Sequence, residues 1–318
     1  MIFVTGAAGF VGRHLVERLL EAGYPVRVLV SPRKANALPK WASHPNVEIV
    51  VGVLSDEETL YRALIGVHVV FHLASAQWWG RRRNLERVEL VGIRYLAAAA
   101  RAARVGRIIV LSHLGASPSS GYTLLNVKGQ VEEAVKASGL AYTIVRAGLI
   151  YGPDDAFINH IAMMLSTNPV FFLMPGNGEV VLHPIHVDDV VSVLMAALER
   201  VDTVDLATEV GGAEYTTLLD LIRTIMRVTG MRRLIIPTPP YLLRLWARFA
   251  AAVWRRSLLT PQWLDLLATN HTARIANAFD VFGVRPRRLE DSLVGYLPNK
   301  HYLLRALAYV LRARPREA

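Results

Sequence analysis

One short stretch near the start of this chain constrains its fold more than any other. An apolar run, Ile2-Phe3-Val4-Thr5, meets Gly6-Ala7-Ala8-Gly9-Phe10-Val11-Gly12, and Arg13 to Leu20 then follow with helical periodicity that closes at Gly23. The three glycines of this strand-to-helix turn answer three steric demands. Gly6 permits the tight turn, Gly9 lets the backbone approach an anion, and Gly12 allows the helix to pack closely on the strand. The helix that begins there offers unpaired N–H groups and the positive end of its dipole. Such a turn is suited to a pyrophosphate and predicts a bound dinucleotide.

Further apolar runs at 26–30, 47–51, 68–73, 107–112 and 142–146 are separated by helix-length segments. Near-continuous apolar strands alternating with helices predict a parallel sheet covered on both faces. After Gly152-Pro153 the regularity loosens into a loop at 174–179, a helix over 188–199, a strand-like 203–207 and a helix over 216–229. Pro237, Pro239 and Pro240 then mark a turn into an Arg-, Trp-, Leu- and Ala-rich remainder. The expected fold is α/β, a doubly wound parallel Rossmann sheet with a smaller, mostly helical C-terminal lobe. Residues 1–240 are assigned to the dinucleotide-binding domain, with lobe segments interleaved after about residue 152, and 241–318 to a basic amphipathic helical region.

Cofactor choice is read at the end of the second strand, where an acid would bind the ribose 2′-OH of NAD and a basic residue would favour the NADP phosphate. Ser31 stands there, followed by Arg33 and Lys34 with no carboxylate nearby. This favours NADP(H) over NAD(H).

Several segments in order, TGAAGFVG at 5–12, VVFHLAS at 69–75, IIVLS at 108–112, IVRAGLIYGP at 144–153 and HPIHVDDVV at 183–191, resemble the extended and atypical short-chain dehydrogenase/reductases. SHLGA at 112–116, TPQWLDLLATN at 260–270 and FGVRPRRLEDSLVGYL at 282–297 are most similar to the nucleotide-binding accessory subunit of respiratory complex I and its bacterial relatives. The resemblance implies that Ala8, Phe10 and Val11 join the glycines around the nucleotide. Leu73, Ala74 and Ser75 would follow from the fourth strand, and Ala147 and Leu149 from the sixth. Val53-Leu54 occupies the place where the superfamily usually carries Asp-Leu, the Asp reading the adenine amino group; here backbone and apolar packing would hold the base.

Active members of that superfamily place a Tyr four residues before a Lys; the Tyr exchanges a proton, and the Lys lowers its pKa and holds the nicotinamide ribose. Lys128 fits the Lys, but four residues earlier stands Leu124. Tyr122 lies six residues before Lys128, about 200° away around a regular helix. Lys128, Tyr122 and the strand-end Ser112 are the catalytic candidates, and two readings stay open. In one the nucleotide is largely structural or sensory; in the other the chain is an NAD(P)H-dependent reductase or isomerase of a hydrophobic substrate.

His183, His186, Asp188 and Asp189 have donor types that bind metals, yet the segment reads as a helix start whose acids favour the positive dipole end, so no metal is expected. Cysteine is absent, which excludes disulfides and thiolate chemistry. Trp78, Trp79 and Arg81 to Arg83 follow the fourth strand at the ligand-binding edge and suit a lipid interface or an aromatic, anionic ligand.

Charge is uneven: residues 1–230 hold 21 Lys/Arg and 21 Asp/Glu, whereas 231–318 hold 15 and 5, so the formal +10 resides in the last part. Taking Arg244 as zero at about 100° per residue, Arg248 and Arg255 fall within about 40°, while Leu242, Leu243, Leu245, Trp246, Phe249, Ala250, Val253 and Trp254 spread from about 100° to about 280°. His301, Arg305 and Arg312 repeat the pattern against Leu303, Leu304, Leu307 and Leu311, and Arg314 and Arg316 extend the charge. Cationic stripes on wide apolar helices suit the plane of an anionic membrane or a membrane complex through 241–256 and 301–316, the alternative being that both helices pack on the protein's own core, and a nucleic acid would not need the apolar face. The chain shows no secretory leader and no spanning run of about 18 apolar residues. The expected location is cytoplasmic, peripheral at the inner face of the cell membrane.

Overall fold

The computed structural model describes residues 1–76, 85–253 (side chains to 250), 257–298 and 300–311. Its centre is a seven-stranded sheet: β1 (Ile2–Thr5), β2 (Val26–Val30), β3 (Val47–Val51), β4 (Val69–His72), β5 (Arg107–His113), β6 (Ala141–Ala147) and β7 (Leu206–Val210). The spatial order is β7-β6-β5-β4-β1-β2-β3, with every neighbouring pair parallel. The order reverses between β1 and β4, and a sheet of this kind opens its ligand crevice outside the carboxyl ends of the strands at that point.

Period-two alternation sends successive strand residues to opposite faces. Val4, Val28, Phe71, Ile109 and Val145 pack on one face against α1 (Phe10–Glu21) and α6 (Val187–Glu199). Phe3, Val70, Ile108, Val110 and Ile144 pack on the other against α2 (Glu57–Leu64), α3 (Gly92–Ala102) and α4 (Thr123–Lys136). Both faces are therefore dry, as the apolar strand runs require. The strand read at 203–207 lies three residues later. A 3-10 turn occupies Val201–Thr203, and buried Arg107 fixes it by donating to Ala197 O, Arg200 O and Thr203 Oγ1. Asp205, at φ 57°, then turns the chain into β7.

A further core lies beside the carboxyl edge. It is built by α5 (Ile158–Thr167), α7 (Leu218–Thr229), α8 (Pro240–Val253), α9 (Pro261–Asp265), α11 (Leu289–Tyr296) and α12 (Tyr302–Leu311), with α10 (Asn277–Phe282) returning to the sheet. Three short two-stranded ladders, among them Phe171–Pro175 with Leu234–Thr238, complete the lobe. At its centre Trp263 stacks on Phe157, with ring centroids 4.9 Å apart. Because this core draws on residues from Leu149 to Ala306, α8 and α12 are built into it along one face.

Burial pushes the imidazoles of His72, His113 and His160 down to about 4 and the carboxyl of Asp155 up to about 6. The unfolded chain binds protons more readily at the three histidines, so their contribution is complete above about pH 6.5 and is lost as pH falls toward 4. Asp155 works in the opposite sense over part of that window. Three groups outweigh one, so the midpoint of urea unfolding should fall as pH drops from about 6.5 to 4.5. A midpoint that is flat or rises over that range would show that these imidazoles are not held neutral.

Candidate functional site

The glycine turn sits where β1 meets α1 at the carboxyl edge. Gly6 adopts φ +73°, and a Cβ there would lie 2.6 Å from Ala74 N and from the Leu73 carbonyl. A Cβ on Gly12 would lie 2.2 Å from Gly6 O, and one on Gly9 2.9 Å from the same atom. Gly9 N donates to Gly6 O at 2.8 Å, closing the turn. Gly9 caps α1 with no side-chain hydrogen bond, and no acidic residue occupies the first turn. The first turn of α1 thus carries no carboxylate of its own, and these residues fit a pyrophosphate. Phe10, beside Gly152, sits on the rim. Ala8 and Val11 are half-buried, and so are Leu73 and Ala74 on the facing β4 loop.

Toward the adenosine end, Lys34 N donates to Ser31 O in the turn that follows β2, and Arg33 and Lys34 are exposed. After β3, Val53 and Leu54 are half-buried, and Leu54 packs under Gly92 at the start of α3. At the other end of the crevice, Ala147 O accepts from Leu114 N, and buried Leu149 begins the further core.

Lys128 is buried, and its ammonium lies 2.7 Å from Glu89 Oε2. Glu89 stands in a π-turn, Arg87–Val91, at the head of α3, and its other oxygen accepts from Ser75 Oγ and from Ala76 N. A π-turn inserts one residue into the helical repeat and re-aims the side chains it carries. Ser75, placed at the nucleotide by resemblance, is thereby joined to Lys128 through one carboxylate. Glu89 carried no signal in the motif reading. It occupies an apolar helical face shared with Leu85 and Ile93, where a lone carboxylate calls for a buried partner.

The other catalytic candidates lie apart. Ser112 Oγ donates to Glu132 Oε1 at 2.5 Å, on the α4 side of the sheet, and Glu132 is held by Arg146. Tyr122 is the N-cap residue of α4 and lines a groove with Pro240, Arg244, Leu264 and the loop 175–180. Leu124 is fully buried against Ala76, Leu85, Val127 and Leu266. At the end of β5 the residue facing the crevice on the α1 side is His113, which sequence reasoning passed over. Its alternation with Ser112 was legible, but not which face meets a ligand.

Both imidazoles of the His183–Asp189 segment are engaged elsewhere. His183 donates from Nε2 to Gly212 O and accepts at Nδ1 from Ala273 N, while His186 caps α6. Asp189 pairs with Arg287. Among the described residues no group of three or more potential metal ligands converges. Trp78, Trp79, Arg81 to Arg83, Trp254, Arg255, Arg312, Arg314 and Arg316 lie outside the described residues.

Arg244 departs from the expected surface stripe, since its guanidinium lies 3.0 Å from Asp265 Oδ1. Helical spacing places it on the line of Arg248, but α9 packs beside α8 there and supplies the buried carboxylate. The face of α8 on the protein carries Leu243, Ala247 and Ala250. Tyr241, Leu242, Leu245, Trp246 and Phe249 are 45–69% exposed, and Leu303, Leu304, Leu307 and Leu311 of α12 are 49–74% exposed. No helix among the described residues is long and apolar enough to cross a membrane.

An NAD(P)H-binding family model matches residues 6–162. The chain is 35% identical over 197 residues to a ceramide reductase of Caulobacter vibrioides, covering 62% of this chain and 60% of that protein. It is 28% identical over 243 residues to the mitochondrial NADH dehydrogenase [ubiquinone] 1 alpha subcomplex subunit 9 of Mus musculus, covering 74% of this chain and 62% of that one. The chain thus spans about three fifths of the length of either relative. The UDP-glucose 4-epimerase of Thermus thermophilus, solved with NAD, superposes with a TM-score of 0.69 at 20% identity, over 93% of this chain and 97% of the epimerase. At that identity the likeness is one of fold.

Removing one partner of a buried ion pair strands a charge, whereas replacing both with apolar groups removes the problem. Glu89→Gln should therefore destabilise the protein by about 3–5 kcal/mol, and Glu89→Leu combined with Lys128→Met should recover most of it. Urea unfolding of the single and double variants measures the coupling. Additive losses would mean that the pair does not act as a unit.

Proposed function

Because the chain belongs to the NAD(P)-binding short-chain dehydrogenase/reductases of the atypical kind, we propose that it holds NADP(H) and docks on an anionic membrane surface, with the nucleotide largely structural or sensory. The observation that carries the docking is the pair of exposed apolar faces on α8 and α12. Each helix has one side in the further core, and its other side would be polar if water were its permanent neighbour. Arg248 and Arg305 are exposed on the same helices, His301 is exposed just before α12, and 15 of the 20 charged residues after 230 are basic. Cations beside Trp and Leu on a helix lying flat match a headgroup layer over acyl chains. Location at the inner face of the cell membrane belongs to this reading.

The nucleotide's role rests on the groups around Lys128. Where active relatives carry the proton-exchanging Tyr there is a buried Leu124, and Ser112 is committed to Glu132. Lys128 retains a charge partner in Glu89, so it is held ready for a ribose without a phenol to activate. NADP(H) is favoured over NAD(H) by exposed Arg33 and Lys34 beside Ser31.

A second reading, an NAD(P)H-dependent reductase of a hydrophobic substrate, is favoured by one observation. A small cavity lined by His113 and His271 lies between the end of β5 and the lobe. The reductase named above for ceramide is consistent with a lipidic substrate class.

Arg33→Glu should weaken NADPH by about ten-fold or more, the worth of one charge-assisted hydrogen bond, while NADH changes little. Equal losses in calorimetric titrations would remove the case for NADP. For the docking, Leu245→Glu with Trp246→Glu should abolish cosedimentation with phosphatidylglycerol-containing vesicles. Melting should stay near wild type, since these side chains are exposed. A folded double variant that sediments as well as wild type would show that α8 does not meet the membrane.

A further inference from the structure

The central sheet carries helices on both of its faces, as parallel pairing requires. One parallel pair in the lobe departs from this. Phe171–Pro175 runs beside Leu234–Thr238, with Leu234 opposite Phe171 and Ile236 opposite Leu173. Alternation sends Phe172, Met174 and Ile235 into the further core. It sends Phe171, Leu173, Leu234 and Ile236 outward, where they are 38%, 44%, 65% and 37% exposed. The pair is therefore apolar on both faces, and its outer face lacks the polar residues that permanent contact with water would select.

Two observations indicate what covers that face. The first is position. Thr238 O accepts from Gly176 N at one end of the pair, α8 begins two residues later at Pro240, and Pro240 and Arg244 line one groove with Pro175 and Gly176. The pair and α8 thus adjoin, and their inner side chains, Phe172 and Ile235 from one and Leu243 and Ala247 from the other, enter the same core. Their exposed side chains follow one another along the chain, from Leu234 and Ile236 through Tyr241 and Leu245 to Trp246 and Phe249.

The second is charge. Arg232 is exposed just ahead of Leu234, Arg248 is exposed on α8, and residues 231–318 hold 15 basic residues against 5 acidic ones. Cations framing an apolar strip that contains Tyr and Trp match an anionic headgroup layer over acyl chains. Strand addition by a second copy is opposed at the edges of the pair, because Pro175 and Pro237 stand in its two strands and offer no N–H.

We propose that the outer face of this strand pair lies, together with α8, against an anionic leaflet. The inference rests on the docking reading and extends the contact from helices to a sheet face. Backbone groups at the edges of the pair need water, so the pair stays at headgroup level with its leucines at the acyl boundary. A single helix lying on a membrane can roll about its axis. A helix and a strand pair fixed to one core cannot, so the contact holds the lobe in one orientation.

The chain contains no cysteine, so single reporters can be placed on it without background. Leu173→Cys, Ile236→Cys, Leu245→Cys on α8 and Val201→Cys, 82% exposed at the amino edge of the sheet, are each labelled with the fluorophore NBD in the full chain. On vesicles of phosphatidylcholine and phosphatidylglycerol, the labels at 173, 236 and 245 should shift to the blue and be quenched by doxyl lipid, while the label at 201 should not. Without labels, Leu173→Glu with Ile236→Glu should lower vesicle partitioning by about ten-fold or more at a melting temperature near wild type. Arg232→Glu should lower it about five-fold on the anionic vesicles and little on phosphatidylcholine alone. A response at 245 with 173 and 236 remaining in water would leave the docking reading standing and overturn this inference. Silence at all three would overturn both. Labels at 173 and 236 that report an apolar setting before vesicles are added would show that a second copy or another part of the chain covers the face, and would also overturn it.

Discussion

The close approach of three backbone segments at the carboxyl edge governs this molecule. Gly6 lies so near the Leu73 carbonyl and Ala74 N, and Gly12 so near Gly6 O, that a single Cβ at either position would collide with main chain. Main chain cannot give way as a flexible side chain can. The turn therefore fixes β1, β4 and α1 relative to one another, and with them the crevice into which α1 points its N-terminus. Everything assigned to the nucleotide follows from that spacing, because the first turn of α1 has neither a side-chain cap nor an acid of its own for its free N–H groups.

The polar residues around this crevice divide between the two faces of the sheet. On the α4 side, Lys128, Glu89 and Ser75 form one buried connection, and Ser112, Glu132 and Arg146 form another. Both have their charges matched. His72 lies near Glu89 and Lys128, bonded through Nδ1 to Thr5 Oγ1, and burial keeps its ring neutral. At the end of β5 the imidazoles of His113 and His271 stand in a largely apolar setting.

Much of the sheet was legible because strand periodicity and glycine spacing are local properties. All six clear strand runs were read to within a residue at each end, three of them without error. The lobe was less legible. Its core joins Leu149 and Phe157 to Trp263, Leu293 and Tyr302, contacts that depend on tertiary arrangement and leave no mark in a sequence window. The same limit explains Arg244. Periodicity correctly aligned it with Arg248, but the acid that binds it belongs to the next helix, and only the fold brings Asp265 alongside. Glu89 and His271 were missed for a related reason: each gains its meaning from a partner distant in the chain, Lys128 in one case and His113 in the other.

The Leu at 124 is best understood with its neighbours. Asp265 accepts from Arg244, and Leu266 beside it packs on the first two turns of α4, so the segment of α9 is engaged at once with α8 and with α4. That tie seats Leu266 against Leu124, Ala76 and Val127 in a closed apolar layer. A phenol inserted there would lose its hydroxyl's water and meet only hydrocarbon, at a cost of about 1–3 kcal/mol unless a ligand oxygen arrived to pair with it. The absence of Tyr is therefore one part of a layer in which several positions agree, and a lone Leu124→Tyr change would not rebuild an acid. The lobe whose α8 and α12 carry exposed apolar side chains is therefore also the one that covers Leu124, and α8 is joined to that cover through Arg244 and Asp265.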